Sequence, residues 1–522
     1  MGEFIDCTKG FPPTPPSDVC IVGAGAAGIT LALQLAGQGK KVTLIESGNF
    51  EMEGTTQYLY HGENIGLPYK DLLSCRLRYF GGTTNHWGGV CRNNDPEDHE
   101  PRPDLGLPGW PVSHAELLPY VNHAAKMLGM EVDDWDPERQ RQKLKLDRNS
   151  LEKHSPDIST KVFQRAKVRV FAKEYREDIL SNPYINVLLN ANLTQVNLSQ
   201  DGAEVESLAV ATLSGFKAKL KAGQYVLACH AIENARLLLL SNNVSKNGIG
   251  NDYGHVGQNF MEHPHLYSSS LLPTDHSMAD FFTVGKLATH GSSSLISLSN
   301  DCLKREGILP YYCRLRSMYD NKGFEGAENL SKRFMEPLDL EMLRSASDVL
   351  SDLGGLVRGV KNKVKRGANQ PSYFVLDHRI AQSPNPRSRV VLRDEKDALG
   401  LRKADLNWEL NDIDYRTFQV GQRIVSNVLI KSGVGRIRLN ELTKEYVDEN
   451  VDGHNHHTGT TRMSNNPQDG VVDRNCRIHG VRNLYVSGSS IFPRIGFSGP
   501  TMLIVALSIR LAEHLSNEKN DV

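Results

Sequence analysis

The segment Gly23-Ala-Gly-Ala-Ala-Gly28 constrains this chain more than any other. It fits the pattern GxGxxG and follows Val19–Val22, an apolar run of buried-strand type. A stretch of helical spacing, Ile29–Leu35, comes next, and Val42–Ile45 reads as a second strand. In such a unit Gly23 permits the tight turn and Gly25 lets a pyrophosphate approach the backbone. Gly28 lets helix and strand pack closely. The helix N-terminus supplies unpaired N–H groups and a partial positive charge. Glu46 ends the second strand, 18 residues after Gly28, where an acid binds ribose hydroxyls. The unit therefore reads as a dinucleotide site. By itself it fits NAD and FAD equally.

With 522 residues the chain exceeds one hydrophobic core, so at least two packed regions are expected. Its 60 basic and 61 acidic residues leave no global field to attract nucleic acid or anionic lipid. The basic run Lys361–Arg366 reads as a solvated helix face. The longest apolar stretch near the end, Met502–Leu507, is far short of the ~20 residues that span a bilayer. The first residues lack a positive segment followed by an apolar one, so no signal peptide is expected. None of the eight cysteines forms a CxxC pair; scattered thiols point to a cytoplasmic setting.

Beyond the first unit, a glycine-rich loop runs from Gly81 to Gly89, and a polar helix is expected over Glu116–Leu128. Strands return at Asn186–Leu189, Val205–Ala211 and Gln224–Ala228, followed by a helix over Glu233–Leu240. Residues 266–450 are mixed, with a charged helical stretch (Leu338–Val364) and a strand-like run from Ser388. The strand Asn483–Val486 and the apolar helix Thr501–Leu515 close the chain.

Several ordered segments together resemble the glucose–methanol–choline (GMC) oxidoreductases. They are the fingerprint, Arg78-Tyr-Phe-Gly-Gly-Thr-Thr-Asn-His-Trp-Gly-Gly89, Ile232-Glu-Asn-Ala-Arg236, Val256-Gly-Gln-Asn-Phe-Met-Glu-His-Pro264, and the block from His456 to Leu515. The wording is most similar to the branch of pyranose oxidases and bacterial glycoside dehydrogenases. The resemblance implies an α/β fold. A Rossmann-like FAD-binding domain (15–100, 190–265 and 455–516) would be interleaved with an α+β substrate domain (101–189 and 266–454) on an antiparallel sheet. It implies FAD as cofactor, held by Gly23, Gly25, Gly28, Glu46, Gly82, Thr83, Asn85, His86, Trp87, Gly488, Ser489, Pro500 and Thr501. Asn85-His-Trp87 resembles the pyranose-oxidase segment whose histidine bonds covalently to the flavin. His86 is either such an attachment point or a residue packed beside the ring.

In the family a histidine of an H-x-x-G-T motif stands over the flavin. Here the motif is His456-His-Thr-Gly-Thr460, which makes His456 the expected base. A neutral imidazole accepts the hydroxyl proton of a C–OH group while hydride leaves for the flavin. No metal site is expected at His454, His456 and His457. The chain departs from the family just before its last helix. Gly499 stands where relatives carry a second catalytic His or Asn. Loss of such a partner costs on the order of 10²-fold in rate. Ser498 or a water is expected to substitute, and the open space to admit a bulkier substrate. A second departure is Cys229-His230-Ala231, where relatives tend to have glycines; residue 230 either crowds the cofactor or points to solvent.

The expected activity is FAD-dependent oxidation of a CH–OH group on a sugar, glycoside or other small polar alcohol. Oxygen, a quinone and a cytochrome are all compatible acceptors. A redox-neutral, FAD-containing lyase of the same fold is the alternative.

Overall fold

The computed structural model describes residues 2–132, 135–143, 150–274, 282, 292–318, 326–327, 330, 340–354 and 371–518. The basic run Lys361–Arg366 lies outside them. So does the end of the helical stretch expected from Leu338, of which Leu340–Ser351 is helical.

Six strands form a parallel sheet in the order Glu3–Asp6, Ile185–Leu189, Val42–Ile45, Ser17–Val22, Ala222–Leu227 and Leu484–Val486. The central strands are largely apolar because helices cover both faces of such a sheet. Val19, Ile21, Leu44, Val226 and Leu484 are fully buried. The helix Ala26–Gly37 leaves the first βα turn and packs against the C-terminal helix Thr501–Asn517. The edge strand Glu3–Asp6 was not expected. It carries four residues without alternation, and Phe4 pins it edge-on to Phe50 and Phe80.

A second, eight-stranded sheet is antiparallel. Its path runs Gly435–Arg438, His265–Pro273, Tyr373–Ile380, Tyr311–Met318, Ser292–Leu298, Ile158–Arg165 and Val90–Cys91, with Val451–Asp452 paired to His265–Pro273. The chain is thus α/β, a parallel nucleotide-binding sheet interleaved with an antiparallel one. Two strands lie across the expected segment limits. Ile185–Leu189 belongs to the parallel sheet and Val90–Cys91 to the antiparallel one. Strand pairing sets those edges, and it leaves no mark in composition. Val205–Ala211 joins a separate three-stranded sheet with Asn192–Leu198 and Lys217–Leu220.

One face of the antiparallel sheet is covered by a 20-residue helix, Asp412–Lys431. Sequence reading passed over it, although Asn411 and Asp414 form a full capping box at its start. Gly421 allows the close approach: a Cβ there would stand 2.4 Å from the Tyr311 ring. The other face of the sheet looks toward the parallel sheet, and a cavity lies between them.

Candidate active site

The cavity has a volume of about 520 Å³ and runs from the first βα turn to the antiparallel sheet. At the nucleotide end the three fingerprint glycines act differently. Gly23 has φ +101° and lies against Ala228, and a Cβ on Gly28 would stand 1.8 Å from the Gly23 carbonyl oxygen. Nothing lies within 4 Å of a Cβ on Gly25, which faces open cavity, and Gly82 packs beside it. Glu46 lines the same end. Its carboxylate accepts N–H bonds from Ala24 (2.9 Å) and Gly48 (3.0 Å), tying the turn to the second strand.

Sequence reading missed a cationic cluster beside this turn. Arg76 is 2% exposed and lies 4.1 Å over the Tyr60 ring, with Nε and Nη1 unpartnered. Arg78 donates to Glu233 (3.2 Å), as does Arg236 (2.9 Å). Burial raises the Glu233 carboxyl, but Arg236 and Arg78 hold it down at about 2. Arg76, Arg78 and Glu233 all line the cavity. A buried guanidinium with two unmet donors, beside an open glycine turn, suits a pyrophosphate.

The glycine-rich loop lies along one wall. Thr83, His86 and Trp87 line the cavity; the Trp87 indole N–H donates to the Arg169 carbonyl (2.8 Å). His86 is exposed. Asn85 is not among the lining residues. Its amide donates to the Phe80 carbonyl (2.8 Å), so it braces the loop rather than facing a cofactor. Gly488, Ser489, Gly499, Pro500 and Thr501 line the facing wall, and the Ser489 hydroxyl donates to the His457 carbonyl (2.6 Å).

His456 lines the cavity at the far end. Its Nδ1 lies 3.0 Å from Nδ1 of His263, whose Nε2 lies 2.7 Å from the Gly496 carbonyl. A carbonyl only accepts, so His263 carries its proton on Nε2 and its Nδ1 is the acceptor. His456 must then donate from Nδ1, which leaves the Nε2 lone pair unprotonated. That edge of the ring faces Gly499: a Cβ there would lie 3.6 Å from Nε2 and 3.4 Å from Cε1. Burial, then His263 and Arg379, push His456 well below the usual imidazole range. Burial takes His263 down to about 4, although its bond to Gly496 works against this.

Ser498 does not reach this space. Its hydroxyl donates to the Arg92 carbonyl, and the residue does not line the cavity. The expected substitution by Ser498 fails because that hydroxyl is already engaged on the far side of the loop.

The other histidines are separately occupied. His230, at φ +78°, accepts from the Ile232 N–H through Nδ1 (3.4 Å) and bonds Nδ1 of His457 through Nε2 (2.9 Å). It neither points to solvent nor stands alone. His457 continues to the Tyr69 hydroxyl (2.7 Å), which donates to Glu262. That fully buried carboxylate accepts the backbone N–H groups of His263 (3.0 Å), His454 and His456 (both 3.1 Å). It sets the backbone from which His456 projects. Among the described residues no group of three or more His, Cys, Asp or Glu side chains is placed to hold a metal.

Two family models match: GMC oxidoreductase over residues 384–508, and FAD dependent oxidoreductase over residues 18–59. The chain is 22% identical to the fructose dehydrogenase large subunit of Gluconobacter japonicus, over 97% of this chain and 98% of that protein. The C-terminal block thus matches the GMC oxidoreductases. The chain is also 23% identical to 2-methyl-1,2-propanediol dehydrogenase of Mycolicibacterium austroafricanum, covering 97% and 96% of the two chains. Its fold matches formate oxidase with a TM-score of 0.60 at 16% identity, over 98% and 100% of the chains. Pyridoxine 4-oxidase matches with a TM-score of 0.59 at 17% identity, over 96% and 99%. The chain is an FAD-dependent oxidoreductase acting on CH–OH donors.

Proposed function

We propose that this protein oxidises a CH–OH group of a sugar, glycoside or other small polar alcohol, with His456 as the base. The observation that carries the reading is the one-way hydrogen-bond line from His456 through His263 to Gly496. It holds the ring so that an unprotonated Nε2 faces the cavity beside Gly499. The substrate hydroxyl gives its proton to that nitrogen as hydride leaves the same carbon, and a carbonyl forms. FAD, when bound, supplies the hydride acceptor. Gly23, Gly25, Gly28, Arg76 and the start of the helix Ala26–Gly37 would hold its pyrophosphate. Glu46 would meet the adenosine ribose, and Gly82, Thr83, His86, Trp87, Gly488, Ser489, Pro500 and Thr501 would border the rest. Gly499 leaves room beside His456 for substrate.

In this reading residues 15–100, 190–265 and 455–516, without the strand Val90–Cys91, serve the cofactor. Residues 101–189 and 266–454, without the strand Ile185–Leu189, serve the substrate, since Phe163, Leu295 and Tyr312 line the opposite wall. Fructose and a diol are named for two relatives, which favours a polyhydroxylated substrate. All eight cysteines are free, in keeping with a reducing, cytoplasmic setting. No described helix is long and apolar enough to cross a membrane.

An anaerobic screen of sugars, glycosides and alcohols, followed by flavin absorbance, tests the reading. A substrate that bleaches the flavin is expected, with His456→Ala slowing bleaching about 10²-fold or more while FAD stays bound. Turnover without any bleaching would point to the redox-neutral lyase instead. An unaffected His456→Ala enzyme would remove the base assignment.

A further inference from the structure

The cavity face of the antiparallel sheet has an unusual charge balance. Strand alternation and register place Arg165, Leu295, Tyr312, Arg314 and Arg379 on this one face, and all five line the cavity with His456. Tyr312 and Arg379 are direct cross-strand partners, as are Arg314 and Asp377. The Asp377 carboxylate is fully buried and accepts from Nε of Arg314 and from Nη2 of Arg379 (2.8 Å). Burial raises its pKa, but Arg379 and Arg314 hold it down at about 2, so it stays ionised.

One carboxylate therefore balances one of two guanidinium groups. No described residue takes the terminal nitrogens of Arg314. Arg165 is half-buried and makes no ion pair or side-chain hydrogen bond among the described residues. Among the described lining residues the only carboxylates are Glu46 and Glu233, both at the nucleotide end, and Glu233 is already paired. Among the described residues the substrate wall thus sets three guanidinium groups against one carboxylate. Excess positive charge in a partly enclosed cavity is costly unless an anion meets it.

We infer that the substrate is a hydroxy acid, a carboxylated sugar or similar alcohol, whose carboxylate is held by Arg314, Arg379 and Arg165 while its hydroxyl faces His456. The inference rests on the oxidation proposed above. A planar guanidinium with unused terminal nitrogens matches a carboxylate in two parallel hydrogen bonds. An uncharged sugar offers the same wall only dipoles and leaves its charge unmet.

Two measurements on the FAD-loaded enzyme test this. The first titrates acetate and oxalate against acetamide, followed by the flavin difference spectrum and by calorimetry. Saturable binding of the carboxylates, absent for the amide, is expected. It should weaken about tenfold or more in Arg314→Gln and in Arg165→Gln. Arg165→Gln breaks no ion pair, so it tests the site even if Arg314→Gln fails to fold. The second compares matched donors: gluconate with sorbitol, galacturonate with galactose, lactate with propane-1,2-diol. Higher kcat/KM for the acid of a pair is expected, with the acid-to-neutral ratio falling at least tenfold in either variant. No carboxylate binding, an unchanged ratio, or preference for glucose 6-phosphate over gluconate would overturn the inference. Carboxylate binding lost in the variants, with no donor bleaching the flavin, would leave the anion site standing and sink the oxidation reading alone.

Discussion

His456 and His263 meet Nδ1 to Nδ1 at 3.0 Å, and the Gly496 carbonyl decides which of them donates. Because His263 must keep its proton on Nε2, His456 is held as the tautomer with a free Nε2. His263 acts through His456 and is a positioning residue. His263→Ala is expected to slow anaerobic flavin reduction about tenfold to 10²-fold, since the His456 ring loses its orienting acceptor. His263→Gln, whose amide both accepts and donates, should recover much of that rate. Equal rates in the wild type and the alanine variant would remove this role.

Several imidazoles are buried in the neutral form. Burial takes His99, His263 and His378 down to about 4, and His230 to about 3. Between their unfolded value of about 6.5 and these folded values, the unfolded chain binds more protons, so stability falls as pH falls. Asp98 and Asp414, pushed up by burial to about 7, act in the opposite direction over the same window. Burial also lowers His454, His456 and His457 and raises Glu262, so the imidazoles outnumber the carboxyls and give a net loss on the acid side. The unfolding temperature is expected to drop between pH 6.5 and pH 4.5 by scanning fluorimetry. A rise would show that the carboxyls dominate.

Arg76 has two unmet guanidinium donors beside the open Gly25 turn. If it meets the cofactor's pyrophosphate, Arg76→Gln should weaken FAD binding about tenfold to 10²-fold, the worth of a charge-assisted bond. Titration of the apoprotein with FAD, followed by quenching of flavin fluorescence, measures this. Unchanged affinity would place Arg76 in a purely structural role over the Tyr60 ring.

His86 is exposed at the cavity wall. FAD is expected to come free on denaturation, leaving the His86 peptide at its unmodified mass. A peptide heavier by one FAD would establish the covalent link.

The nucleotide end was legible in sequence because its parts are local. A strand, a glycine turn, a helix and an acid follow within thirty residues, and backbone sterics alone require those glycines at Gly23 and Gly28. His456, Gly499 and the last helix were legible as an ordered motif. What only the tertiary structure decided was which side chains still had hydrogen-bonding capacity once the chain had folded. Ser498 and Asn85 looked available, yet their polar groups are taken by the carbonyls of Arg92 and Phe80. His263 gained meaning only by meeting His456 across 193 residues of chain separation, and Gly496 only by meeting His263 across 233. The arginines at 165, 314 and 379 come from three different strands, and register alone gathers them on one face. Local sterics act between neighbours in sequence, whereas electrostatic balance and hydrogen-bond competition act between neighbours in space.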